Sequence, residues 1–251
     1  MVLIFAKIHS SLSGADMFQN RKIRLGLIAA IIVLLMIFSR LVGLFVDWLF
    51  FGETGYQFVF TRVLSAEVIA SLCFGAFAFA FIFINTIFIN RVQLPAISLS
   101  IDGHTTLSLD TAKFGKMSRL LGLAASLLVG IMGALWGGGL WHQILFFFNG
   151  AKTGVTDPVF GKDVGFYLFT LPLYESLSSF IGFLFFIAIL LSVVVYTLKR
   201  AFFLNRFKLS MIKEVRIHLG ILAGLMLFKT AVGFYLDRFG LLYSTHQIIT
   251  G

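Results

Sequence analysis

Five long apolar stretches constrain this chain more than any other feature. They run over 25–46, 68–89, 120–140, 177–198 and 219–236. A hydrocarbon core of about 30 Å takes roughly 20 helical residues to cross, and only the last stretch falls short of that. Charge is too scarce for a soluble reading. Charged residues are 12% of the chain and hydrophobic ones 59%, with a mean hydropathy of +0.98, whereas a soluble domain carries roughly 25% charged residues. Phe77, Phe79, Phe81 and Phe83 recur at strand-like period two, but Ala78, Ala80 and Ile82 between them are apolar as well, so a membrane barrel's alternation is absent. The expected fold is an all-α membrane protein of about five transmembrane helices, multi-pass in the cell membrane with the lipid bilayer as its first partner.

The basic residues orient the spans. With the N-terminus cytoplasmic, the extension 1–24 and the loops 90–119 and 199–218 hold fourteen Lys and Arg, and the outer segments hold four: Arg62, Lys152, Lys162 and Arg238. That bias is a positive-inside signal, and it places the C-terminus outside, with outer loops 47–67 and 141–176. It also accounts for the net charge of +9 without nucleic acid as a partner. Trp48, Trp136, Trp141 and five of the six Tyr fall towards the outer helix ends; only Tyr196 sits near the inner face. The single cysteine, Cys73, excludes an internal disulfide and reads as an inert buried thiol.

Three loops carry local signals. Alternation on both sides of Asp102-Gly103 predicts a small cytoplasmic β-hairpin. Loop 199–218 mixes Phe202, Phe203 and Leu204 with six basic residues, which suits either a helix lying on an anionic leaflet or a solvated basic linker. The outer loop 141–176 is aromatic-rich and membrane-hugging, with turns expected at Asn149-Gly150, Asp157-Pro158 and Gly161-Lys162-Asp163. Its two carboxylates fit turn capping better than a calcium site, because no EF-hand spacing surrounds them.

Small residues mark candidate helix contacts. Gly130, Gly133 and Gly137 lie on the third stretch and Gly220 and Gly224 on the fifth, at spacings that let helix backbones approach closely in lipid. Gly137 to Gly139 have a second reading, an unwound segment at a transport site. Two cations lie within the spans. Lys229 is eleven residues past His218, about 16 Å up the last helix and near mid-bilayer, where a lysine costs about 2.5–3.5 kcal/mol. It requires a partner, a wet cavity or neighbouring helices, and it serves either function or structure. Arg40 can reach Asp47, seven residues on, or the headgroups. The five His residues show no metal-ligand pair on one helix, no phosphate loop or nucleophile elbow is present, and no cofactor is expected.

Three blocks resemble Uncharacterised Protein Family 0182, a group of prokaryotic multi-pass membrane proteins. They are Asp47-Trp48-Leu49-Phe50-Phe51-Gly52-Glu53 with Gly55-Tyr56; Asn149-Gly150 with 154–158, 160–167 and Leu171-Pro172; and Arg216 and His218 with 227–233, 236–238 and 242–244. The resemblance implies further spans and a large extracytoplasmic portion, so the chain reads as an N-terminal piece whose other transmembrane helices, or other subunits, are partners. It implies no assigned activity. A structural or anchoring membrane module leads the functional readings. A transporter or channel subunit with Lys229 on a polar path follows, and a membrane enzyme using Asp157, Lys162 and Asp163 comes third.

Overall fold

A computed structural model describes residues 21–92, 99–101, 105–107, 111–199, 202–205 and 208–241. Most of the N-terminal extension, the Asp102-Gly103 turn and the chain after Leu241 lie outside these residues. The α-helices are α1 (Arg21–Glu53), α2 (Gln57–Arg91), α3 (Thr111–Gly139), α4 (Trp141–Asn149), α5 (Leu171–Leu198) and α6 (Lys213–Gly240). A π-helical turn, Phe166–Thr170, leads into α5. Among the described residues, five helical stretches are long and apolar enough to cross a membrane: Arg24–Glu53, Gln57–Arg91, Met117–Gly139, Phe166–Leu198 and Lys213–Gly240.

Two compact units meet in sequence between Arg62 and Val63. The first contains α1, whose large apolar side chains are exposed, Leu34 by 66% and Met36 by 68%. Water would penalise that surface; lipid does not. Helix α1 persists to Glu53 and ends in a Schellman turn. Gly55 takes φ +75°, its N–H donates to the Gly52 carbonyl at 3.3 Å and the Tyr56 N–H to the Phe51 carbonyl at 2.9 Å. A residue with a Cβ resists that backbone conformation, which is why glycine follows the helix here. The connector to α2 is therefore only 54–56, and helix occupies most of the expected loop 47–67.

The second unit is built on glycine contacts between α2 and α3. A Cβ at Gly133 would sit 2.6 Å from Ala78 Cβ, and one at Gly137 would sit 2.6 Å from Phe74 Cβ and 2.7 Å from the Ala70 carbonyl. Gly130 and Gly75 face each other in the same way. Helix α3 stays wound through Gly137 and stops at Gly139. By contrast, a Cβ at Gly220 or Gly224 would meet nothing among the described residues, so their spacing does not correspond to a helix contact here. Ala78, Ile82, Val129, Phe180, Leu184, Ala188 and Leu222 form the core where α2, α3, α5 and α6 converge. Cys73, expected buried, is exposed on α2, one position from the buried face.

Two antiparallel pairs lie between the long helices. Strand β1 (Leu99–Ile101) pairs with β2 (Thr105–Leu107), Ser100 opposite Thr106. Strand β3 (Phe202–Asn205) pairs with β4 (Lys208–Met211), Leu204 opposite Leu209. The second pair corrects both expectations for loop 199–218. Apolar and polar residues alternate over Lys208-Leu209-Ser210-Met211, a period of two that favours a strand over an interfacial helix.

Candidate functional site

A group of polar side chains gathers at the end of the bundle where α2 and α5 finish and α6 begins. Asn85 and Thr86 of α2, Ser192 and Tyr196 of α5 and His218 of α6 stand two to six residues from those helix ends, within reach of one another. Asn85, Thr86, Ser192 and Tyr196 are all buried. The Tyr196 hydroxyl lies 2.9 Å from His218 Nδ1, His218 Nε2 lies 3.4 Å from the Asn85 amide, and the Ser192 hydroxyl reaches that amide at 3.2 Å and the Ala188 carbonyl at 2.7 Å. The Asn85 amide N–H donates to His218 Nε2, which puts the ring proton on Nδ1 facing the Tyr196 hydroxyl, and the Ser192 hydroxyl donates to the Ala188 carbonyl and the Asn85 amide oxygen. A largely buried polar chain of this kind favours one packing of three helices, because breaking a link leaves a polar atom without its partner in an apolar surrounding.

This network forms one wall of a cavity of about 820 Å³ that also includes Phe81, Ile84, Phe88 and Ile221. Arg91 from the last turn of α2 and Glu214 from the first turn of α6 line the same space. Beside it, Lys199 donates to the Ile89 carbonyl at 2.7 Å, which satisfies a carbonyl at the end of α2. Burial lowers the Lys199 ammonium below the ordinary lysine value. Ser118 of α3 donates to Asn90 Oδ1 at 2.7 Å.

The residues of loop 141–176 build a different structure. Asp163 accepts from the Gly165 N–H at 2.7 Å, the Gly154 N–H at 2.9 Å, and the Thr153 N–H and hydroxyl at 3.1 Å each. Asp157 accepts from the Phe160 N–H at 2.7 Å, the Val159 N–H at 2.8 Å and the Tyr167 hydroxyl at 2.9 Å. Those donors hold the Asp163 carboxyl below the ordinary carboxylate value. Desolvation pushes Asp157 up, but its donors outweigh it and the net direction is also down. Pro158 follows Asp157 into the turn, and Gly161 closes it at φ +63° with its N–H on the Asp157 carbonyl at 2.9 Å. Both carboxylates are thus occupied by loop donors, and no cluster of three or more His, Cys, Asp or Glu placed to hold a metal occurs among the described residues.

Asn149 is the last residue of α4, its amide donating to the Leu145 carbonyl at 2.8 Å. Gly150 caps the helix in an extended conformation, with φ −66°, where the chain turns away from α4. It is glycine because a Cβ would lie 2.7 Å from both the Phe146 carbonyl and the Phe169 ring. Lys162 lies 5.7 Å from the centre of the Phe166 ring. The loop docks on α6 through Phe160, Phe166 and Tyr167, whose rings pack edge-on to Phe239 at 5.1–6.1 Å. Arg238 lies over Tyr235 at 3.8 Å, Phe239 at 4.5 Å and Phe160 at 5.4 Å.

The two span cations stand apart from both sites. Lys229 faces Gly182 of α5, where a Cβ would sit 3.0 Å from its Nζ. Gly182 therefore vacates the space the ammonium occupies, and Lys229 is partly buried without a hydrogen bond or ion pair to any described residue. Arg40 lies on α1 with Asp47, and it does have an interaction partner. The sequence reading missed the His218 network because it judged histidines by metal-ligand spacing. Its signal was the isolated Tyr196, set apart from the other tyrosines and close in depth to Asn85 and His218.

Residues 24–251 match the profile of the Uncharacterised protein family UPF0182. The chain belongs to this family. Among curated relatives it is 37% identical to a UPF0182 protein of Geotalea uraniireducens over 90% of this chain and 25% of the relative. It is 38% identical to one of Geobacter sulfurreducens over 86% and 24%, and 33% identical to one of Mycobacterium marinum over 86% and 21%. The chain thus spans about a quarter of the length of these relatives. No solved structure matches it. The family supplies no activity, so the UPF0182 chain must be read from its own side chains.

Proposed function

We propose that this UPF0182 chain is a structural, anchoring module of a larger assembly in the cell membrane, with its N-terminus and both strand pairs on the cytoplasmic side and loop 141–176 outside. The observation that carries this reading is the saturation of the outer loop. Asp157 and Asp163 have seven hydrogen-bond donors between them from their own loop, and aromatic rings fix that loop to α6. Carboxylates so occupied suit a rigid platform for further chain or subunits and do not suit general acid or base work. The test is whether the longer family protein still assembles when Asp163→Asn loosens the platform. Loss of assembly supports anchoring; full assembly with a disordered loop contradicts it.

A transporter or channel subunit is the second reading, favoured by Lys229. An unpaired ammonium facing the gap at Gly182 suits a polar path. Reconstituted vesicles should then pass a solute in a manner that Lys229→Met abolishes, and no flux across a broad solute panel removes this reading.

A further inference from the structure

The cavity beside His218 carries an inference that stands apart from the anchoring reading. It is apolar along Phe81, Ile84, Phe88 and Ile221 and carries a cation and an anion, Arg91 and Glu214, where helices end. Helix dipoles account for the sign of each charge, since Arg91 is in a last turn and Glu214 in a first turn. They do not account for both charges lining one space while neither pairs with the other or with any described residue. Opposite charges that share a wall without bonding are arranged for a ligand bearing both complements. An apolar trough below them suits a hydrocarbon chain.

We propose that this cavity binds a glycerophospholipid whose headgroup carries both a phosphate and a primary ammonium, with one acyl chain along Phe81 and Ile221, the phosphate at Arg91 and the ammonium at Glu214. A bilayer places its headgroups at the level where membrane-spanning helices end, whichever side of the membrane this is. The Tyr196–His218–Asn85 chain forms the back wall, with its polar atoms directed at one another, so selectivity rests on the two mouth charges.

The experiment incorporates the full chain into vesicles of equal parts phosphatidylethanolamine, phosphatidylglycerol and phosphatidylcholine, extracts it into mild detergent, and counts retained lipids by mass spectrometry. Phosphatidylethanolamine should be retained about fivefold over phosphatidylglycerol, the ratio that one charge contact of about 1 kcal/mol provides. Glu214→Gln should abolish that preference, and Arg91→Gln should cut total phospholipid retention about fivefold. Ile84→Trp fills the trough from an exposed position, keeps both charges, and should exclude the lipid even if the charge variants fold poorly. Equal retention of the three headgroups, a preference for phosphatidylglycerol, or retention unchanged by Ile84→Trp would each overturn the proposal.

Discussion

At the residue scale, loop 141–176 depends on one ionisation state. Asp163 accepts four hydrogen bonds that a protonated carboxyl cannot accept in full. Its carboxyl is held below the ordinary 3.8, so its stabilisation is complete above that value and lost as pH falls through the lowered folded value. Protection factors at the Thr153, Gly154 and Gly165 amides, corrected for the intrinsic pH dependence of exchange, should therefore hold from neutral pH down to about 3.8 and fall below it; protection that ignores acid refutes the assignment. Tyr196 makes the complementary case in the core. Tyr196→Phe removes the hydroxyl and strands a His218 ring nitrogen, which should cost about 1–3 kcal/mol in unfolding. A variant as stable as the parent would mean that the network does not hold α5 to α6.

At the scale of elements, contact rather than spacing decides what a glycine does. Gly133→Ala drives a methyl to 2.6 Å from Ala78 Cβ and should destabilise by about 1–3 kcal/mol. Gly224→Ala meets nothing and should be neutral or stabilising by up to about 1 kcal/mol, the helix-propensity gain. Equal thermal shifts for the two would contradict the α2–α3 packing. The contrast also explains what the sequence could and could not reveal. Apolar length exposes the five long helices, because a hydrocarbon core imposes it on each segment separately. The partner of a small residue depends on how helices are rotated, so Gly133 and Gly224 read alike in the chain and differ in the fold. Strand pair β3–β4 was hidden for a related reason: six basic residues spread over 199–216 mask the period-two pattern at 208–211. Asn85, Ser192, Tyr196 and His218 lie up to 133 residues apart, and depth in the bundle is the one property they share in sequence.

At the scale of the whole molecule, lipid is the medium that suits an apolar exterior. Leu34, Met36, Leu72, Leu135 and Phe228 are each at least 66% exposed, and each belongs to a stretch suited to crossing a membrane. Under the anchoring reading, Lys229→Met should leave the fold and assembly intact, with insertion more favourable because a charge of about 2.5–3.5 kcal/mol is removed from mid-span; collapse of the assembly would instead make Lys229 a structural partner for other helices. The account's central claim is that the chain threads a membrane with its basic loops inside. The most direct test is labelling of intact cells with a membrane-impermeant maleimide, using single-cysteine variants in which Cys73→Ala removes the native thiol. Lys152→Cys in the outer loop should label at once, and Lys213→Cys at the start of α6 should label only after permeabilisation. Prompt labelling of the Lys213 variant together with protection of the Lys152 variant would contradict the account.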